Sequence, residues 1–298
     1  MVGVAYAFVA YLAWGILPIY WKWLDQVPAG EVLAHRVFWS FIFVAGVVAV
    51  YGKWGTLKKT FSDRKSRFAM CACSVLISSN WFIYIYAVHT NKLVEASLGY
   101  YITPLLSILL ATTVLKEKLN FWQGVALVFA FAGVLVIALQ YGGLPWIAFA
   151  LSISFAIYGL LKKMANLDSI TGLAMETAFV MPIALIYILI IQHSGRGAFH
   201  VSPDINTILL IGSGVATAIP LLWFAQAANR ASLATIGFIQ YLAPSISLLI
   251  GVFLFHEPFT KHHLISFAFI WVALLIYSCA NTNVMRQLQQ RIYKVTAR

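Results

Sequence analysis

"EASLGYYITPLLSILL", residues 95–110, opens on a glutamate and carries Pro104 near its middle, yet the rest suits the interior of a lipid bilayer. A carboxylate is costly there, and a proline removes one donor from the helix ladder. Whether these two residues are accidents or parts of a device depends on what surrounds them.

The chain is 62% hydrophobic and only 10% charged, where a soluble domain carries roughly a quarter charged residues, so the composition points to lipid. Apolar runs of about 20 residues, each long enough to cross a core of roughly 30 Å as a helix, recur along its length. Ten are predicted, near 2–21, 31–51, 68–90, 93–115, 121–139, 145–161, 170–192, 205–227, 232–255 and 264–282. The first lacks a basic leader and a small-residue cleavage site, so it reads as a retained span and not a signal peptide. Cys71, Cys73 and Cys279 are too few for a disulfide framework and read as small hydrophobes.

The net charge of +11 is distributed by loop. The stretch 52–67 holds six Lys or Arg, 116–118 two, 162–163 two, Arg230 one and the tail from 283 four, against only Lys22, Lys92, Arg196 and Lys261 on the intervening loops. Fifteen against four follows the positive-inside rule and predicts both termini in the cytoplasm. This patterning speaks against a nucleic-acid partner.

Displaced by 140 residues, the sequence partly overlays itself. Pro104 falls on Pro244, Tyr101 on Tyr241, Ser107 on Ser247, Glu117 on Glu257, and "LA" at 33–34 on "LA" at 173–174. With five spans before each break, an odd number, the second half must insert upside down relative to the first. The expected organisation is therefore a first five-helix repeat over 1–140, an inverted repeat over 141–283 and a basic cytoplasmic tail over 284–298. Such inverted repeats are a common ground plan of secondary transporters, with the substrate site near the midplane. Pro104 stands about 15 Å into its span and frees the carbonyl of Tyr100; Pro244 does the same for that of Gln240. Matched interruptions point to a helix-break and gating role near a binding site, although packing kinks are also common in membranes.

Three ionisable residues lie inside spans: Arg36, Glu95 and Glu176. Each needs a partner, a wet cavity or a role. Arg36 and Glu176 occupy equivalent repeat positions but enter from opposite faces, which speaks against a direct pair. Arg36 with Glu95 is the expected pair in the outer third. The alternatives are that Glu95 reaches the interface while Arg36 snorkels, or that Glu95 titrates with proton movement.

Trp14, Asn80, Trp81, Tyr84, Tyr100, Tyr101, Tyr158, Gln226, Gln240 and Tyr241 are the candidate substrate-binding residues. Aromatic faces and a few amides, with Asn80 facing Gln226 and Gln240 across the halves, suit an amphipathic organic molecule. "GSGVATA" (212–218) has small residues four apart and predicts a close helix contact. No G-x-x-x-x-G-K-[ST] and no H-E-x-x-H occurs, so nothing suggests nucleotide hydrolysis, a metal site or any cofactor, and "HEPFTKHH" (256–263) reads as a loop.

With "AHRVFWS" (34–40), "NW" (80–81), "EASLGYYITPL" (95–105), "GFIQYLAP" (237–244) and "FAFIWVAL" (267–274), the chain resembles the EamA-type permeases of the drug/metabolite transporter superfamily. More narrowly it resembles the RarD subgroup, which is linked to chloramphenicol sensitivity. The resemblance implies an all-α polytopic membrane protein of ten helices in two inverted five-helix repeats. It also implies a central cavity lined by spans 1, 3, 4, 6, 8 and 9, and a bacterial inner-membrane location. The expected function is secondary transport of small metabolites or drugs, not enzymatic catalysis, with small molecules and membrane lipid as partners and a homodimer left open. An intramembrane enzyme or a partner-binding scaffold is the alternative class.

Overall fold

The computed structural model describes residues 2–89, 93–139, 146–200, 204–254, 261–280 and isolated positions to 289. A few helical side chains within these ranges, Glu95 among them, lie outside the described residues, as do 256–260 of "HEPFTKHH" and most of the expected tail; the last three residues of that stretch, read as loop from the sequence, begin a helix at Lys261. The described residues form twelve helices and no strand: α1 (Val2–Lys22), α2 (Ala29–Val50), α3 (Trp54–Ser62), α4 (Arg64–His89), α5 (Leu93–Thr113), α6 (Phe121–Ala138), α7 (Trp146–Ala165), α8 (Ser169–His193), α9 (Ile205–Arg230), α10 (Leu233–Gln240), α11 (Leu242–Phe253) and α12 (Lys261–Cys279).

Local chemistry sets several boundaries. Asp168, Asp204 and Ser232 each accept a hydrogen bond from the N–H three residues on, which satisfies one of the orphan donors of a helix start. Asn166, with φ of 45°, turns the chain between α7 and α8. Nine of the ten expected runs coincide with one helix each, and 232–255 divides into α10 and α11 at Tyr241. Six stretches among the described residues are long and apolar enough to cross a membrane; α5, α6 and α12 contain shorter apolar stretches. Helix α3 is an addition to the sequence reading, which treats 52–67 as a basic loop. Its Leu57 and Phe61 face the bundle, with Phe61 5.6 Å from Phe179, while Lys58 and Lys59 are exposed.

The main packing partners run between the expected halves: α2 lies on α8 and α9, α1 on α9 and α11, α4 on α7 and α8, α5 on α7 and α10, and α6 on α12. Exchanging each helix for its counterpart about 140 residues away maps this set onto itself. The α1–α9 contact becomes α7–α4, α5–α7 becomes α11–α1, and α2–α9 becomes α8–α4, while α2–α8 and α6–α12 map to themselves. Small residues let these helices approach. Ser40 donates to the Gly214 carbonyl at 2.9 Å across α2 and α9, and Ser266 to that of Gly133 at 2.7 Å across α12 and α6. The close contact expected at "GSGVATA" is thus present, against Trp39 and Ser40.

Candidate functional site

The two ends of the bundle differ. One end, carrying α3 and the C-termini of α7 and α9, is bolted by polar contacts and is called the basic end below. Lys53 meets Asp168 at 2.6 Å, Asn229 donates to the Leu167 carbonyl at 2.6 Å, and Gln226 donates to the Ser169 hydroxyl at 2.5 Å. Lys163 donates to the carbonyl of Ala231, and both Glu117 oxygens accept from the first N–H groups of α10, those of Leu233 and Ala234. Burial opposes ionisation of Asp168, but the Lys53 ammonium and the Thr171 N–H and hydroxyl outweigh it and hold the carboxyl below the usual carboxylate range.

Above this seal lies a buried charge cluster. The Lys162 ammonium stands 2.8 Å from Glu176 Oε1, off the line of a hydrogen bond, with side chains 5% and 3% exposed. Tyr158 donates to Glu176 Oε2 at 3.2 Å, and the Ser74 hydroxyl reaches the Glu176 carbonyl at 3.1 Å. Lys162 is the functional-class residue the sequence reading missed, because it counts "KK" (162–163) among loop charges. Its spacing of four from Tyr158 on α7 is the signal that puts both on one helix face.

The middle of the bundle is aromatic. Tyr11, Trp14, Phe155, Tyr158 and Phe224 form a continuous set from α1, α7 and α9, with Tyr158 stacked on Phe224 at 5.8 Å. Asn80, 3% exposed, donates to the Leu151 carbonyl and to Ser154 at 2.8 and 2.9 Å, which ties α4 to α7.

Arg36 and a group of aromatic side chains stand toward the other end. Arg36, half-buried, holds its guanidinium carbon 4.3 Å from the Trp21 ring centre and 4.8 Å from that of Trp81, and its Nε donates to Thr217 at 3.0 Å. Tyr84 and Tyr100 stand 5.9 Å apart beside it, and Tyr100 is 41% exposed although it lies seven residues into α5. Residues 198–200 fold over the start of α2, where the Ala198 N–H donates to Glu31 at 2.7 Å and Phe199 stacks on His35.

The sequence-predicted residues therefore divide. Arg36, Trp81, Tyr84 and Tyr100 come together, Trp14 and Tyr158 belong to the central aromatic set, and Glu176 takes Lys162. The expected convergence of amides does not occur. Asn80 serves α7, Gln226 serves the start of α8, and Gln240 accepts from Ser107 at 3.3 Å, because each amide is consumed by the nearest helix contact. Tyr101 and Tyr241 are packed at 7% and 0% exposure with Phe238 and Phe267. The matched prolines leave both spans helical: α5 runs continuously through Pro104, and between α10 and α11 Tyr241, three residues before Pro244, keeps helical angles of φ −63° and ψ −15°. The expected pairing of Arg36 with Glu95 lies outside the described residues.

The chain matches the EamA-like transporter family twice, over residues 1–139 and 143–279. It is 45% identical to the uncharacterized transporter YojE of Bacillus subtilis, an alignment covering 95% of this chain and 96% of that one. It is 40% identical to protein RarD of Escherichia coli, covering 92% and 93%, and 26% identical to the chloramphenicol-sensitive protein RarD of Pseudomonas aeruginosa, covering 97% of each. A crystal structure at 16% identity shares the fold, with a TM-score of 0.72 over 94% of this chain and 98% of that one. With both halves matched and relatives aligned nearly end to end, this multi-pass membrane protein belongs to the EamA-like transporter family.

Proposed function

We propose that the chain is a secondary transporter that moves small amphipathic organic molecules across the bacterial cytoplasmic membrane by alternating access. In this reading ten spans form two inverted five-helix halves, with α10 and α11 together making the ninth span. The observation that carries it is the gathering of Arg36 with Trp21, Trp81, Tyr84 and Tyr100 toward the end opposite the polar bolts, with contacts drawn from both halves. The self-mirrored packing and the twofold family match support the repeat, since a device that opens alternately to two sides needs two halves that can exchange roles. The conformation is then outward-facing, with the basic seal as the closed inner gate. Tyr101 and Tyr241, at equivalent packed positions, would shift when the halves rock.

The test is exchange in proteoliposomes. Vesicles holding the purified chain are loaded with a labelled extract of small metabolites, and release is compared with that from protein-free vesicles. Protein-dependent release of a defined set of compounds is expected, and release identical to that from empty vesicles overturns the reading.

Orientation is tested separately. In a cysteine-free background, Cys placed at Lys58 and at Arg196, both exposed, should differ in labelling by an impermeant thiol reagent on intact cells. Position 196 is expected to label and 58 to label only after lysis. Equal labelling removes the inside assignment of the termini.

A further inference from the structure

We propose that Arg36 is the recognition group for the carboxylate of an amphipathic organic anion, with the surrounding aromatic side chains holding that molecule's apolar body. The proposal deepens the transporter reading and rests on it. Arg36 sits seven residues after the start of α2, about 10 Å along the helix. A guanidinium at such depth is costly unless it meets a counter-charge or water. What it meets among the described residues is neutral: two indole rings and one hydroxyl. Among the described residues the ion pairs are Lys22–Asp25, His35–Glu31, Lys53–Asp168 and Lys162–Glu176, and Arg36 is in none of them.

The geometry suits recognition. Cation–π contact with the Trp21 and Trp81 rings holds the guanidinium in place and uses none of its N–H donors. Thr217 takes the Nε donor, so the two Nη groups form the fork that matches a carboxylate bidentately. The contacts come from α1 and α4 of the first half and α9 of the second, so a ligand held there touches elements on both sides of the proposed rocking interface. Tyr84 and Tyr100 extend the set of rings beside Arg36.

Comparison of the halves strengthens the inference. The position equivalent to Arg36 is Glu176, and there the fold supplies an internal counter-charge, Lys162 at 2.8 Å. The position equivalent to Lys162 in the first half is Lys22, a cation that pairs with Asp25 at 3.2 Å and is 59% exposed. One half neutralises its intramembrane charge from within; in the other, the described residues around the charge are neutral rings and a hydroxyl, and none of them pairs with its Nη groups. A charge from outside the chain completes it.

The experiment is a thermal-shift titration of the purified full-length chain with 3-phenylpropionate and, as a matched neutral probe, 3-phenylpropionamide. A charge-assisted bidentate bond predicts that the acid binds roughly tenfold or more tightly than the amide. Arg36→Gln should abolish this difference while retaining weak amide binding, and Arg36→Lys should keep part of it. Equal binding of acid and amide, no binding of the acid, or a preference that survives in Arg36→Gln overturns the proposal. Glu95 is the internal competitor: a wild type without preference that gains one in Glu95→Gln shows that the chain supplies its own counter-ion, and also overturns it. Binding is read without flux, so loss of the acid preference removes the anion site alone, whereas absence of exchange in vesicles removes the transporter reading.

Discussion

Replacing Lys162 by methionine is expected to destabilise the folded bundle by about 3–5 kcal/mol, because it leaves the Glu176 carboxylate buried without its counter-charge. Glu176 is 3% exposed, and its remaining side-chain partner is the neutral Tyr158 hydroxyl at 3.2 Å. Glu176→Leu alone should cost a similar amount by stranding the ammonium. The double replacement should cost several kcal/mol less than the sum, since two apolar groups of similar volume need no partners. Tyr158→Phe, which removes one hydrogen bond, should cost about 1–2 kcal/mol. Equilibrium unfolding of the four variants in detergent measures this cycle. Additive single effects would show that Lys162 and Glu176 do not depend on each other.

Gly214→Ala is expected to cost about 3 kcal/mol, at the upper end for overpacking, despite adding only one methyl group. A Cβ at position 214 would overlap the Trp39 carbonyl carbon and stand 2.6 Å from the Ser40 nitrogen, and backbone atoms cannot rotate aside. Helices α2 and α9 would have to separate, which breaks the Ser40 hydroxyl bond to the Gly214 carbonyl and shifts Thr217, one turn along α9, away from Arg36. Gly46 on α2 is the control. Nothing lies within 4 Å of a Cβ there, so Gly46→Ala should be neutral or stabilise by about 0.5–1 kcal/mol through helix propensity. Unfolding midpoints of the two variants decide the matter, and equal effects would mean that the α2–α9 approach is not limited by residue 214.

Much of the architecture was legible in one dimension because a bilayer accepts few solutions. Backbone groups in lipid must bond within their own segment, so each long apolar run is a helix and loop chemistry marks its ends. The positions of nine helices follow from run length, and the family model matches twice, over 1–139 and 143–279, on either side of the division that the self-overlay predicts. The candidate site was less legible. Aromatic residues are abundant in this chain, and 3.6-residue periodicity cannot tell a ring that faces lipid from one that stacks on Tyr158 or on Arg36. Trp21 stands at the end of α1 in "IYWKW", where it reads as an interfacial anchor; only packing brings its ring against Arg36.

What the sequence by itself determined is the count and placement of apolar segments, the asymmetry of basic loops and the near-duplication of the halves. All three are written in residue types at short or constant spacing. What only the tertiary structure decided is which buried charge finds which partner. Arg36 and Glu176 are equivalent by position, yet one lies against two indoles and the other against Lys162, because their partners come from helices more than ten residues away in sequence whose rotation is set by packing. The course of the proline spans is decided in the same way. Each matched proline removes one donor, yet α5 runs on through Pro104 and Tyr241 keeps helical angles of φ −63° and ψ −15° before Pro244, so the packing around each helix, not the proline alone, sets whether it opens.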